Sequence, residues 1–231
     1  MDQDEFYFDE TDFNGITRLF PLPNLVLFPH VMQPLHIFEP RYRAMMEEAL
    51  ATDKLITMAV LAKGWEDDYE GRPKLESIAC LGRVATHERL PDGRFNLLLV
   101  GLKRVRIQQE LAPHSLFREA KVSLCDDQYP VATAPMRASL QKDLACSFKK
   151  SLPKQSMVHE QVDELLGGSV PLGVLTDIIA YTLDLEMSVK LRLLAECNVD
   201  RRAALLLEFM QPGTMKLNHG GLRFPPDFSA N

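Results

Sequence analysis

Residues 78–107 read IACLGRVATHERLPDGRFNLLLVGLKRVRI, two long apolar runs on either side of Pro91-Asp92-Gly93-Arg94. Proline presets the backbone for the first turn position and Gly93 supplies positive φ, so Leu90 and Phe95 are predicted to close a β-hairpin. Gly101 interrupts the second run and predicts a bulge or bend, the means by which an antiparallel sheet curls into a barrel. Beyond it Val105 and Ile107 alternate with Arg104, Arg106 and Gln108. That alternation predicts a half-buried strand with Arg104 and Arg106 on one outward face, either solvated or a cationic stripe.

Upstream, ITRLFPL (16–22) and NLVLF (24–28) are short apolar runs punctuated by Pro21, Pro23 and Pro29. The prolines exclude helix and favour edge strands or tight turns. From Arg41 to Leu50 the period becomes helical, with Tyr42, Met45, Met46, Ala49 and Leu50 on one stripe. Pro40 suits the first helical position, and Glu39 suits the positive end of the helix dipole. LITMAVLA (55–62) is a buried strand candidate, WEDDYEGRP (65–73) a charged loop and FREAKVSLC (117–125) a further strand.

Downstream the period is helical throughout. Met136, Leu140, Leu144 and Phe148 recur every four residues; a second helix is predicted over 157–166, ending at Gly167-Gly168. Pro171 opens a third, Glu186 or Ser188 a fourth and Asp200 a fifth. Strands followed by helices is the α+β order. The predicted organisation is an acidic-aromatic arm over 1–14, a β-rich subdomain over 15–130, a helical subdomain over 131–210 and an irregular tail over 211–231.

The chain has 231 residues and a net charge of −6. Asp2, Asp4, Glu5, Asp9, Glu10 and Asp12 account for all of it, since residues 15–231 carry 26 charges of each sign. A neutral body provides no global basic field for nucleic acid. The arm, with Phe6, Tyr7, Phe8 and Phe13 among its acids, is either a disordered cap or a segment that docks on a groove of its own or a neighbouring chain. No run approaches the ~18 apolar residues of a membrane span, and an acidic start is unlike a signal peptide, so a cytoplasmic protein is predicted. Cys80, Cys125, Cys146 and Cys197 form no C-x-x-C pair and read as reduced, mostly buried thiols.

Catalytic signatures are missing. There is no Walker A loop and no G-x-G-x-x-G, and Gly167-x-Ser169 lacks the glycine that completes a nucleophile elbow. S-x-x-K occurs at Ser139/Lys142, Ser147/Lys150 and Ser151/Lys154 without its partner motifs. His159 and Asp163 share a predicted helix face, but no third ligand accompanies them, so neither a metal nor a cofactor is expected.

The run FPLPNLVLFPHVMQPLHIFEPRYRAMMEEAL (20–50) resembles the opening of the Lon protease N-terminal (substrate-binding) domain family. LGRVATHERLPDGRFNLLLVGLKRVRI (81–107) resembles that family's central hairpin, and LDLEMSVKLRLLAECNVDRRAALLLEFM (183–210) its closing helices. The resemblance implies a PUA-like β pseudo-barrel followed by a C-terminal helical bundle. It implies the standalone bacterial form without AAA+ ATPase or Ser-Lys peptidase domains, so a Lon or S16 peptidase-type name would rest on homology alone. His30 stands where members often have Gly, which implies a different turn after Pro29.

The implied function is non-catalytic binding of unfolded or tagged polypeptides, acting with a separate protease or chaperone and with no membrane or nucleic-acid partner. Candidate peptide-binding residues are His36, Glu39, Arg41, Tyr42, Arg94 and Arg104. For the first four, a strand-to-helix junction also suits an internal ion pair and a packed aromatic. The alternatives are RNA or small-ligand binding through the PUA-like barrel, and a cryptic Ser-Lys hydrolase using Ser147 and Lys150.

Overall fold

The structure, a computed structural model, describes residues 8–68, 71–151, 170–211 and 229–230. It has two compact units: the first runs to Cys125 and also takes in Ser229–Ala230, and the second begins at Asp126.

The first unit is the pseudo-barrel. Its strands are β1 (Ile16–Leu22), β2 (Met32–Ile37), β3 (Leu55–Val60), β4 (Ile78–Arg89), β5 (Phe95–Glu110) and β6 (Arg118–Cys125), with α1 (Pro40–Ala51) between β2 and β3. A two-residue strand, β7 (Ser229–Ala230), completes the order β4-β3-β1-β6-β5-β2-β7, and the additional β4–β5 pairing closes the ring. β1 and β3 pair in parallel and are almost wholly buried, which is why both read as unbroken apolar runs.

The hairpin forms as predicted, with Leu90 and Arg94 closing the turn and Gly93 at φ 81°. The bend at Gly101 is also present: the register shifts beside Gly82, which faces Gly101 across the β4–β5 ladder. The chain segment Phe28–Val31 packs directly on this bare backbone. Gly101 N–H donates to Val31 O at 2.9 Å, and His30 N–H donates to Gly101 O at 2.8 Å. His30 takes φ 64°, the region glycine favours. A histidine therefore adopts the left-handed conformation at this turn.

α1 follows its predicted bounds, with Tyr42, Met45, Met46 and Ala49 buried. Its C-terminal end is tied to β1 by Arg18, which donates to Glu48, Asp53 and Thr52 at 2.7–2.9 Å. The described part of the arm docks on this unit. Phe8 and Phe13 meet edge to face at 5.7 Å and pack on the core around Leu19, Leu55 and Val105, while Glu10 pairs with Lys103 at 2.5 Å.

The second unit holds α2 (Ala134–Ser151), α3 (Leu172–Thr182), α4 (Met187–Ala195) and α5 (Val199–Phe209). The helix expected over 157–166 and most of the tail expected from 211 lie outside the described residues. α5 begins at Asn198, whose side chain caps the N–H groups of Asp200 and Arg201. The Arg137 guanidinium grips Asp200 at 2.7 and 2.8 Å, and Thr133 Oγ1 donates to it at 2.5 Å. The Arg137 bond first, then that of Thr133, outweighs burial and holds the Asp200 carboxyl below the usual carboxylate range.

A depressed folded-state pKa adds stability that is complete above the unfolded value of about 3.9 and is lost as pH falls through the folded one. Urea unfolding of the parental chain should therefore weaken in acid. Asp200→Asn should flatten that part of the profile while lowering stability near neutrality.

Two sequence expectations need correction. None of the four cysteines is in a disulfide, but only Cys80 is buried; Cys146 is exposed and the other two are intermediate. Cys146 lies on the outer side of α2, away from the face that buries Leu144 and Phe148. Arg104 and Arg106 also fail to share an outward face. Arg104 is 2% exposed whereas Arg106 is open: Arg104 and Val105, adjacent and so on opposite faces of β5, are both buried, and the strand is covered on both faces at that point.

Candidate functional site

The β2-to-α1 junction and the loop between β5 and β6 frame a groove of about 490 Å³. Glu39, Arg41 and Tyr42 line it from the β2-to-α1 junction, Arg72 from the segment before β4, and Leu116 and Arg118 from the end of the β5–β6 loop and the start of β6. Each is placed by a local rule. Pro40 starts α1, so Glu39 sits at the N-cap and Arg41 and Tyr42 occupy the first turn.

Arg41 donates to Glu39 Oε2 at 2.8 and 2.9 Å, and its guanidinium carbon lies 4.7 Å from the Tyr42 ring centre. The Tyr42 ring is buried edge-on against Phe20 at 4.6 Å. The sequence readings of an ion pair and a packed aromatic thus describe Glu39, Arg41 and Tyr42 as placed. These residues also form the groove wall.

Also lining the groove, Arg118 makes a two-pronged contact with Glu110 at 2.5 and 2.9 Å, and Arg72 reaches the same carboxylate at 3.2 Å. Burial alone would raise the Glu110 pKa. The hydrogen bonds and charges of Arg118, followed by those of Arg72, overcome it and leave the carboxyl below its ordinary value.

Glu119 supports the loop wall, accepting from Ser115 at 3.5 Å and lying 2.7 Å from His114 Nε2, while its carbonyl accepts from the Leu111 N–H. Leu116 projects from this supported loop at 73% exposure, beside the buried ring of Phe117. A large apolar side chain held in water next to half-buried cations suits an extended polypeptide with apolar and acidic groups.

His36 and Arg94 belong to a second cluster, at the outer side of β2 near the hairpin turn. His36 Nδ1 is 2.7 Å from Asn96 Oδ1 and its Nε2 is 3.4 Å from Arg94, which is itself paired with Asp92 at 2.6 Å. Arg104 joins neither cluster.

Arg72, Arg118, Leu116 and Phe117 were not singled out from sequence. The only local hint was an apolar pair, Leu116-Phe117, following a Pro-His-Ser turn. Their meeting with α1 depends on β6 lying beside β1, a long-range pairing. Among the described residues, no cluster of three or more His, Cys, Asp or Glu side chains could hold a metal ion, and no helix is long and apolar enough to cross a membrane.

Comparison with known proteins agrees with this architecture. The N-terminal domain of the Lon protease of the Mycobacterium avium complex superposes with a TM-score of 0.64 at 15% identity, covering 84% of this chain and 97% of that one. A Lon N-terminal domain protein from Xanthomonas campestris gives 0.60 at 22% identity, covering 85% and 99%. At these identities the likeness speaks for the fold.

Among curated sequences, the Lon protease of Cytophaga hutchinsonii is 24% identical over 211 residues, and that of Xanthomonas oryzae pv. oryzae 26% over 189. The alignments take in 90% and 81% of this chain but only 25% and 22% of those proteases, so the chain matches about a quarter of their length. The family model for the substrate-binding domain of ATP-dependent protease La (LON) matches residues 17–212, and the chain therefore belongs to the LON substrate-binding domain family.

Proposed function

We propose that this chain is a non-catalytic, cytoplasmic module that binds unfolded or tagged polypeptides in the α1 groove and presents them to a separate protease or chaperone. The carrying observation is the groove itself, lined by exposed Leu116 together with Arg41 and Arg72, on a member of a substrate-binding family. An extended segment would place apolar side chains against Leu116 and Pro113 and an acidic group near the guanidiniums. Lost contacts of this kind cost about 1–2 kcal/mol each, or roughly 5- to 30-fold in affinity.

Leu116→Asp should therefore weaken binding of a labelled, reduced and carboxymethylated lactalbumin by about tenfold in fluorescence anisotropy with unchanged thermal unfolding, and Arg72→Glu by a similar factor with a lowered thermal midpoint, since it sets a second carboxylate beside Glu110. Equal affinity in parental and variant chains would remove the groove from this role.

The other readings have less in their favour. Ser139 and Lys142 are exposed on α2, and Lys150 is exposed beside half-buried Ser147, so neither of these two pairs holds a desolvated lysine to activate its serine. Ser151 ends α2, and its partner Lys154 lies outside the described residues. For RNA, burial of Arg104 removes half of the arginine pair that motivated it. Affinity for a single-stranded RNA that does not fall as salt rises would dispose of a phosphate-driven mode.

A further inference from the structure

β2 has β5 on one side along its whole length, whereas on the other side its only strand neighbour among the described residues is β7. Ser229 and Ala230 lie in parallel register with Leu35 and His36. The final residues of the chain thus add a strand to the sheet over two positions.

The composition of β2 confines this opening. Pro34 has no N–H to offer, and its carbonyl already accepts from the buried Gln33 side chain at 2.8 Å. Pairing beside Pro34 is therefore blunted, as on protected edge strands, and the receptive stretch starts at Leu35, where the tail pairs. On the outward face, Met32 and Phe38 are exposed, and the His36 ring lies 6.2 Å from that of Phe38. A strand laid on this edge would align alternate side chains with an apolar and aromatic stripe.

We propose that the β2 edge is a strand-accepting site for extended polypeptides with apolar side chains at alternate positions, and that Ser229–Ala230 occupy it as an internal competitor. This deepens the polypeptide-binding reading and rests on it. Two residues of pairing make a weak contact, but a tethered segment competes at an effective concentration near the millimolar range. Occupancy by the tail lowers the fraction of chains open to an incoming strand, and apparent affinity falls in proportion.

The test uses the full chain carrying S229P and A230P together, which removes both tail N–H donors while leaving the body unaltered; deletion of residues 229–231 is the second variant. The probes are a labelled peptide of residues 225–231, PPDFSAN, and labelled carboxymethylated lactalbumin. Binding is read by anisotropy, and amide hydrogen exchange is read at residues 35–37. Both variants should lose protection at 35–37, bind the probes about three- to tenfold more tightly than the parental chain, and regain protection when saturated.

Equal affinities in parental and variant chains would overturn the competitor while leaving the groove reading intact. Tighter binding without renewed protection at 35–37 would overturn the edge as the acceptor. If no chain binds either probe, this inference and the groove reading both fall.

Discussion

Arg202→Ala should destabilise the helical unit by about 3–5 kcal/mol, the usual cost of removing one partner from a buried ion pair. Arg202 is wholly enclosed. Its guanidinium donates to both Asp127 oxygens at 2.7 and 2.9 Å, to Thr176 Oγ1 at 2.8 Å and to the Glu196 carbonyl at 2.8 Å. Asp177, also fully buried, lies 3.6 Å away.

That single side chain joins the segment before α2, the first turns of α3 and the end of α4 to α5. Truncation takes the guanidinium away from buried Asp177 and from both Asp127 oxygens, and breaking a buried pair by removing one partner is what makes the loss large. Urea unfolding followed by circular dichroism should show an early transition for Arg202→Ala. The adjacent Arg201→Ala, on the exposed side of the same helix, should stay within about 0.5 kcal/mol of the parental chain. Similar small losses for both would mean that the buried network adds little to stability. Arg202→Lys should recover only part of the loss, because an ammonium cannot reproduce the two-pronged contact with Asp127.

The second large effect is expected at Gly101. A Cβ built there would stand 2.0 Å from the Phe28 carbonyl oxygen and 3.2 Å from Pro29 Cα. Both neighbours are main chain and cannot rotate away as a side chain would. Gly101→Ala must therefore push the 28–31 segment off β5, breaking the two backbone hydrogen bonds that Gly101 shares with His30 and Val31. Overpacking costs about 1–3 kcal/mol and each lost hydrogen bond about 1 kcal/mol, so a total near 3–5 kcal/mol is expected.

The cost should be read as a lower thermal midpoint and faster amide exchange across β2 and β5. At Gly93 the same substitution meets the Arg43 guanidinium, the movable end of a side chain, in a turn at positive φ. Its smaller loss, about 1 kcal/mol from the backbone alone, serves as the comparison. A Gly101→Ala loss no greater than that at Gly93 would show that the 28–31 segment moves easily.

Local rules determined much of this molecule from sequence. The α1 start at Pro40, the Pro-Asp-Gly-Arg hairpin and the bend at Gly101 each depend on the conformational limits of a few adjacent residues, whereas the prolines of the opening did not make edge strands: β1 lies between β3 and β6, and residues 24–28 form no strand. The order of strands before helices followed from hydrophobic period alone. Period also placed the inward face of α1, which buries Tyr42 and the two methionines.

What tertiary structure alone decided concerns residues distant in the chain. Alternation put Arg104 on the surface, but β5 is covered on both faces at 104–105, and a pattern of period two carries no information about a second covering layer. The groove needed β6 beside β1 and an exposed Leu116 in its lining. Asp127, which pairs with Arg202, lies 75 residues away, so that network could not be read from local spacing. The tail read as an irregular arm, yet its last described residues pair with β2, because strand addition depends on an available edge and demands little of the sequence that fills it.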